Sequence, residues 1–212
     1  MADTATRHVL TEAIWPAEGA GLWAKRAVLV VAGVIALTIA AKIKVPVWPS
    51  PVAISLGTFA VLTIGAAYGP RLGLVTMLAW LGIGAAGFDV FQNSASGATG
   101  LAYMMGATGG YLVGYLLATL ALGLAARRGL DRSVWGMALA LLVGNALIYV
   151  PGLVWLHHLV ATGLFDAAAY ASAWDQTVAW GLTPFVIGDA LKLALAALLV
   201  PGLWRLVGSA RA

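Results

Sequence analysis

The sequence has no cysteine, which removes disulfide frameworks, thiolate nucleophiles and Cys-based zinc or iron–sulfur sites together. Charge is nearly as scarce. Only 12 Lys+Arg and 8 Asp+Glu occur in 212 residues, 9% of the chain, against roughly 25% in an average soluble domain, so a water-soluble monomer is excluded. A phosphate loop is missing too. Gly106-Ala107-Thr108-Gly109-Gly110 has the glycines but not the Gly-x-x-x-x-Gly-Lys-Ser/Thr order of a nucleotide-hydrolysing site. His157 and His158 are adjacent, hence about 100° apart on a helix, and cannot clamp one metal as i,i+4 histidines do. No Ser-His-Asp constellation stands out, and no enzyme is expected. The net charge of +4 does not by itself indicate nucleic acid, because the cytoplasmic loops of membrane proteins collect the same residues.

What is abundant is apolar: 62% of the chain. Its 26 glycines, about 12% where about 7% is usual, suit helices packed closely in lipid. A helix needs about 20 mainly apolar residues to cross the hydrocarbon layer. With Pro, Gly and charge clusters as boundaries, six spans are predicted, at roughly 27–43, 53–68, 71–86, 109–126, 134–159 and 182–207. The predicted organisation is an all-α, six-helix membrane domain over 25–207, with tails at 1–24 and 208–212. Residues 1–24 are too charged to insert and suit a short interfacial helix.

Placing both termini in the cytoplasm puts Arg7, Lys25, Arg26, Arg71, Arg127, Arg128, Arg132, Arg205 and Arg211 on that side. Only Lys42 and Lys44 lie outside, with Lys192 inside a span. This is a strong positive-inside bias. Trp23, Trp135 and Trp204 fall near the inner boundary and Trp48, Trp155, Trp174 and Trp180 near the outer one, as interfacial indoles should. Reading Lys25-Arg26 and the following apolar run as a cleaved signal peptide would leave five helices and invert that bias.

Asp189 and Lys192 are the most informative positions. They stand three residues apart, on one face of the last span, about 7.5 and 12 Å beyond Pro184. A charge at the centre of a span costs about 2.5–3.5 kcal/mol to insert. Each therefore requires a partner or a wet cavity. The pair either locks helix packing or offers an acceptor and a donor side by side to a polar ligand. The outer connections 44–51, 87–105 and 163–181 are polar-aromatic or Gly-rich. Such loops converging on one mouth cover a binding cavity. Phe88, Phe91, Asn93, Ser94, Ser96 and Thr99 there mix apolar walls with neutral hydrogen-bonding groups. Ala32, Ala36 and Ala40 repeat at i,i+4, giving one face of the first span without bulk, open to close approach by another helix inside or outside the body.

Four motifs occur in order: Gly69-Pro70-Arg71-Leu72-Gly73; Gly82-Ile83-Gly84-Ala85-Ala86-Gly87-Phe88-Asp89-Val90-Phe91; Gly106-Ala107-Thr108-Gly109-Gly110-Tyr111-Leu112; and Pro184-Phe185-Val186-Ile187-Gly188-Asp189-Ala190-Leu191-Lys192. With the Pro-x-x-Pro-x-Pro-Val stretch from Pro46 to Val52, this order closely resembles the BioY family, the biotin-specific substrate-binding S components of energy-coupling-factor (ECF) transporters. The resemblance spans about residues 27–205. Ala107 and Asp89 depart from it, each standing where the family usually has Pro.

The resemblance implies a six-helix vitamin-binding subunit in the cell membrane. It would capture biotin outside and work with a transmembrane coupling (T) subunit and two ATPase subunits, with no cofactor of its own and ATP used only by those partners. It carries a partner-docking face onto Ala32, Ala36 and Ala40. It also carries the polar pair near the pocket floor onto Asp189 and Lys192, and a pocket tyrosine onto Tyr111. Biotin's cyclic urea offers one carbonyl acceptor and two N–H donors, so Lys192 would donate and Asp189 accept. Trp48, Phe88, Phe91 or Tyr111 would cover the ring beneath a lid formed by an outer loop. Lys44, Asn93 and Ser96 are candidates for the biotin carboxylate. The alternatives are an S component or carrier for another small vitamin, or a membrane assembly subunit without a ligand.

Overall fold

The computed structural model describes residues 8–93, 98–165 and 170–209, and most of them are helical. The helices are α1 (Leu10–Ile14), α2 (Gly19–Lys42), α3 (Gly57–Ala85), α4 (Gly100–Met104), α5 (Gly109–Arg127), α6 (Val134–Ala161), α7 (Ala173–Gly181) and α8 (Val186–Ser209). A turn of 3-10 helix precedes α6 (Leu130–Arg132) and another precedes α8 (Thr183–Phe185). A two-residue antiparallel ribbon pairs β1 (Lys44–Val45) with β2 (Ile54–Ser55), in the register Lys44 to Ser55 and Val45 to Ile54.

By length and composition, five helical stretches among the described residues can cross a bilayer: α2, α3, α5, α6 and the run from α7 through α8. The expected boundaries of the fourth and fifth spans fall close to α5 and α6, whose ends are marked by Gly109, Arg127 and the Ser133 cap that accepts from the Gly136 amide. α2 starts earlier than expected, at Gly19, because nothing between Gly19 and Arg26 breaks a helix. The expected second and third spans are joined within α3, with no loop between them. Gly69 alone interrupts it, at φ 76° and ψ 177°. Positive φ is open to glycine, and Pro70 cannot donate into the preceding turn while its fixed φ suits a fresh helix start. The chain reverses here. A methyl placed on Gly73 would lie 3.7 Å from the Gly65 Cα, so the two halves of α3 lie against each other.

α5 packs between α3 and α6, and α8 lies against α6 and α3. Lipid supplies no hydrophobic drive between helices, so close backbone approach through small residues holds them together. At Gly114 a methyl would fall 2.6 Å from the Ile148 Cα, and at Gly110 one would fall 2.3 Å from the Pro151 carbonyl oxygen. Leu62, Met77, Leu122, Met137, Leu141 and Ile148 fill the centre, fully buried. α2 is the least buried of the long helices; Gly33, Leu37 and Ala41 face inward while Ala32 and Ala36 are exposed.

The end of the bundle at the Gly69 elbow is basic and cross-braced. α1 tucks beneath the elbow: Arg127 donates twice to the Glu12 carboxylate, at 2.7 and 2.5 Å, and Thr11 Oγ1 donates to the Ala67 carbonyl at 3.0 Å. Trp204 Nε1 donates to the buried Asp131 at 2.6 Å, and the Arg132 guanidinium lies 4.7 Å above the Trp204 ring. At the opposite end the connecting segments converge. Lys42 pairs with Asp89, Lys44 Nζ donates to the Gln92 carbonyl at 2.5 Å and to Asn93 Oδ1 at 2.6 Å, and Ser50 Oγ donates to the Trp180 carbonyl at 2.7 Å.

Candidate ligand-binding site

Below those converging segments lies a chamber with about 420 Å³ of empty space, part of it open to solvent. Its floor is ionic. Lys192 Nζ donates to Asp189 Oδ1 at 2.8 Å and to Thr58 Oγ1 at 3.2 Å, and Tyr149 Oη donates to Asp189 Oδ2 at 2.6 Å. The i,i+3 spacing at the start of α8 puts acid and base on one face. α3 supplies Thr58 from its first turn and α6 supplies Tyr149. Asp189 is only 3% exposed. Burying such a pair is costly unless further hydrogen bonds satisfy both groups, and here both carboxylate oxygens and two of the three ammonium protons are engaged.

The walls combine apolar and hydroxyl-bearing groups. Val52, Ala53 and Ser55 come from the ribbon segment, Thr108, Tyr111 and Tyr115 from α5 and the residue before it, Ile148 from α6, Phe185 from the 3-10 turn, and Gln92 from the segment after α3. Tyr111 meets Tyr149 edge to face, with centroids 5.9 Å apart, and its hydroxyl donates to the Gly181 carbonyl at 2.8 Å. Gln92 Nε2 donates to the Ala53 carbonyl at 2.9 Å, tying the upper wall to the ribbon. One ion pair within a largely uncharged lining suits a compact neutral group that both accepts and donates hydrogen bonds.

Of the predicted site residues, Asp189, Lys192 and Tyr111 meet in this chamber. The others do not line it. Trp48 is 93% exposed and Phe88 65% exposed, so neither covers the chamber here; Trp48 rides on the turn pinned by Ser50, and Phe88 follows Gly87, whose φ is 98°. Phe91 is fully buried instead of facing a ligand. It stacks on Tyr103 and meets Trp80 edge-on, each at 4.9 Å, and fills the space left by Gly84. Asn93 accepts from Lys44 outside the lining, and Ser94 and Ser96 lie outside the described residues. Thr58 and Tyr149 escaped the sequence reading. The available signal was a hydroxyl at the mouth of one apolar run and another inside a second.

The model of the BioY family matches residues 9–209. The chain belongs to the BioY family. A relative described as a probable biotin transporter BioY, from Pyrococcus horikoshii, is 31% identical over 176 residues, which is 83% of this chain and 94% of that protein. The biotin transporter BioY of Thermotoga maritima is 30% identical over 163 residues, covering 77% and 86%. Among solved structures, the crystal structure of the S component for biotin from an ECF-type ABC transporter matches with a TM-score of 0.72 at 21% identity, covering 89% of this chain and 95% of that one; this is a likeness of fold. As a BioY-family member the chain is a multi-pass membrane transport protein and not an enzyme.

Proposed function

We propose that this BioY-family chain is a high-affinity biotin-binding S component, delivering biotin across the membrane together with an ECF coupling subunit and two ATPase subunits. One observation carries the reading: a buried Asp189–Lys192 pair, braced by Tyr149 and Thr58, at the floor of a chamber whose other walls combine apolar side chains with uncharged hydroxyl and amide groups. Lys192 has one ammonium proton left for the urea oxygen, and Asp189 has lone pairs left for a urea N–H. Val52, Ile148 and Phe185 offer apolar surface to the sulfur ring. Lys44, held beside Gln92 at the rim, suits the carboxylate at the end of the alkyl tail. Biotin has about 16 heavy atoms, so nanomolar binding needs about −0.8 kcal/mol per atom. That value is high for any ligand and calls for closure of the outer segments, with Trp48 and Phe88 moving over the mouth.

The reversal at Gly69 supports two crossings within α3 and thus six in all, with the basic elbow end in the cytoplasm. The exposed Ala32 and Ala36 on α2, with Ala40 beside them, suit docking of the coupling subunit. Purified protein titrated with biotin, thiamine and riboflavin tests the core of this reading. Saturable binding of biotin alone is expected, and absence of biotin binding overturns it.

A further inference from the structure

A second concavity lies at the elbow end, between α1, the first half of α2 and the second half of α3, with about 1400 Å³ of empty space, part of it open. Its chemistry is unlike that of the chamber. Arg26 precedes Val30 by one turn on α2, and Arg71 precedes Val75 by one turn on α3; all four line the groove. Two helices thus present the same order side by side, a cation nearer the end of the bundle and an apolar side chain nearer its middle. Val31 and Val75 are 58% and 52% exposed, as lipid-facing residues are. Lys25, only 3% exposed, also lines the groove, and its ammonium donates to the Trp15 carbonyl.

No carboxylate among the described residues lies within 4 Å of Lys25, Arg26 or Arg71. The acid in the groove, Glu12, is already held by Arg127 through two hydrogen bonds. Among the described residues, the buried ammonium feels Glu12 only at longer range and the two arginines have no carboxylate within ion-pair distance, and hydrocarbon-facing surface adjoins all three. The ligand that satisfies both halves carries a phosphodiester and acyl chains on one molecule.

We infer that this groove binds an anionic phospholipid, its phosphate among Lys25, Arg26 and Arg71 and one acyl chain along Val30, Val31 and Val75. The site is independent of what the chamber at the other end holds. The test is native mass spectrometry of the full chain in detergent, with phosphatidylglycerol and phosphatidylcholine of identical acyl chains at equal concentration. Retained phosphatidylglycerol is expected in preference. R26Q/R71Q should cut that preference by about thirtyfold, since each basic residue near the headgroup is worth on the order of fivefold. R26K/R71K should keep most of it, and R128Q, outside the groove, should leave it unchanged. Monodisperse elution and unchanged helicity of R26Q/R71Q exclude misfolding. Equal retention of the two lipids overturns the inference. So does displacement of the lipid by millimolar glycerol phosphate, which would mark a soluble-anion site. Loss of the coupling subunit from R26Q/R71Q with lipid retention intact would also overturn it, assigning the groove to a protein.

Discussion

Tyr149 Oη donates to Asp189 Oδ2 at 2.6 Å across the α6–α8 interface, while Lys192 holds the other oxygen of the same carboxylate at 2.8 Å. The acid is thereby clamped from two helices and leaves its remaining lone pairs toward the chamber. The two partners are not equivalent. K192M strips the ammonium and leaves a buried carboxylate with one neutral donor, which should cost about 3–5 kcal/mol of stability. D189N/K192M removes both charges and should recover much of that loss in a thermal melt. It should not recover biotin binding. If the pair served packing alone, folded K192M would bind biotin as the native chain does.

Tyr149 lines the chamber and bonds Asp189, so in the proposed reading it positions that carboxylate. Y149F keeps the edge-to-face ring contact with Tyr111 but deletes a hydrogen bond to a charged group, worth about 1.5–3 kcal/mol. Biotin titration by calorimetry should show affinity weakened about tenfold or more, with Y115F, whose hydroxyl makes no bond to the carboxylate, as the comparison.

Asp189 and Lys192 were legible because ionisable groups inside an apolar run demand a reason. Thr58 and Tyr149 were not, because one hydroxyl in an apolar stretch is ordinary and its partner lies 134 or 40 residues away. Phe91 shows the opposite failure. An aromatic in a Gly-rich segment reads equally well as a lid or as core, and only the vacancy at Gly84, 2.1 Å from the Phe91 ring edge for an added methyl, decides for core. Boundaries at Gly109, Arg127 and Ser133 were plain in the sequence. At Gly69-Pro70 the break was plain as well, but the immediate return of the chain without a loop depended on packing between Gly65 and Gly73.

Gly152 sets how close α6 comes to the chamber's tyrosine. An added methyl would stand 2.5 Å from Tyr111 Cδ1 and Cε1, and the ring is held at its far end by the bond to the Gly181 carbonyl. G152A should cost about 1–3 kcal/mol by overpacking and weaken biotin binding with it. G202A, with nothing within 4 Å of its methyl, should be neutral or stabilising by up to about 1 kcal/mol. Paired melts and titrations separate these signs.

Ala36 is exposed on the least buried long helix. A36L leaves the chamber untouched, so biotin binding by the isolated chain should be unchanged. Inserting bulk into a close helix–helix contact costs about 1–3 kcal/mol, and co-purification with a coupling module should fall about tenfold. Unchanged assembly would move the docking face elsewhere.

The two acids of the basic end should respond to pH with opposite signs. Burial pushes the Glu12 carboxyl up, but the Arg127 hydrogen bonds and charge, with the Val9 amide and His8, hold it below its ordinary value. Its contribution is therefore present above the unfolded carboxylate pKa, near roughly pH 4.3, and is lost as pH falls through the lowered value. Both partners are about a third exposed, so E12Q should cost only about 0.5–1 kcal/mol at pH 7 in low salt, less in high salt, and nothing in strong acid. Burial raises Asp131, with the Trp204 bond and Arg132 opposing in part. A raised acid favours the fold below its unfolded pKa, and that advantage is lost as pH rises through the folded value. D131N keeps an oxygen for the Trp204 N–H, so at pH 7 it should melt no lower than the native chain. Melting curves from pH 3 to 8 should show the deficit of E12Q opening as pH rises, while D131N gains on the native chain over the same interval.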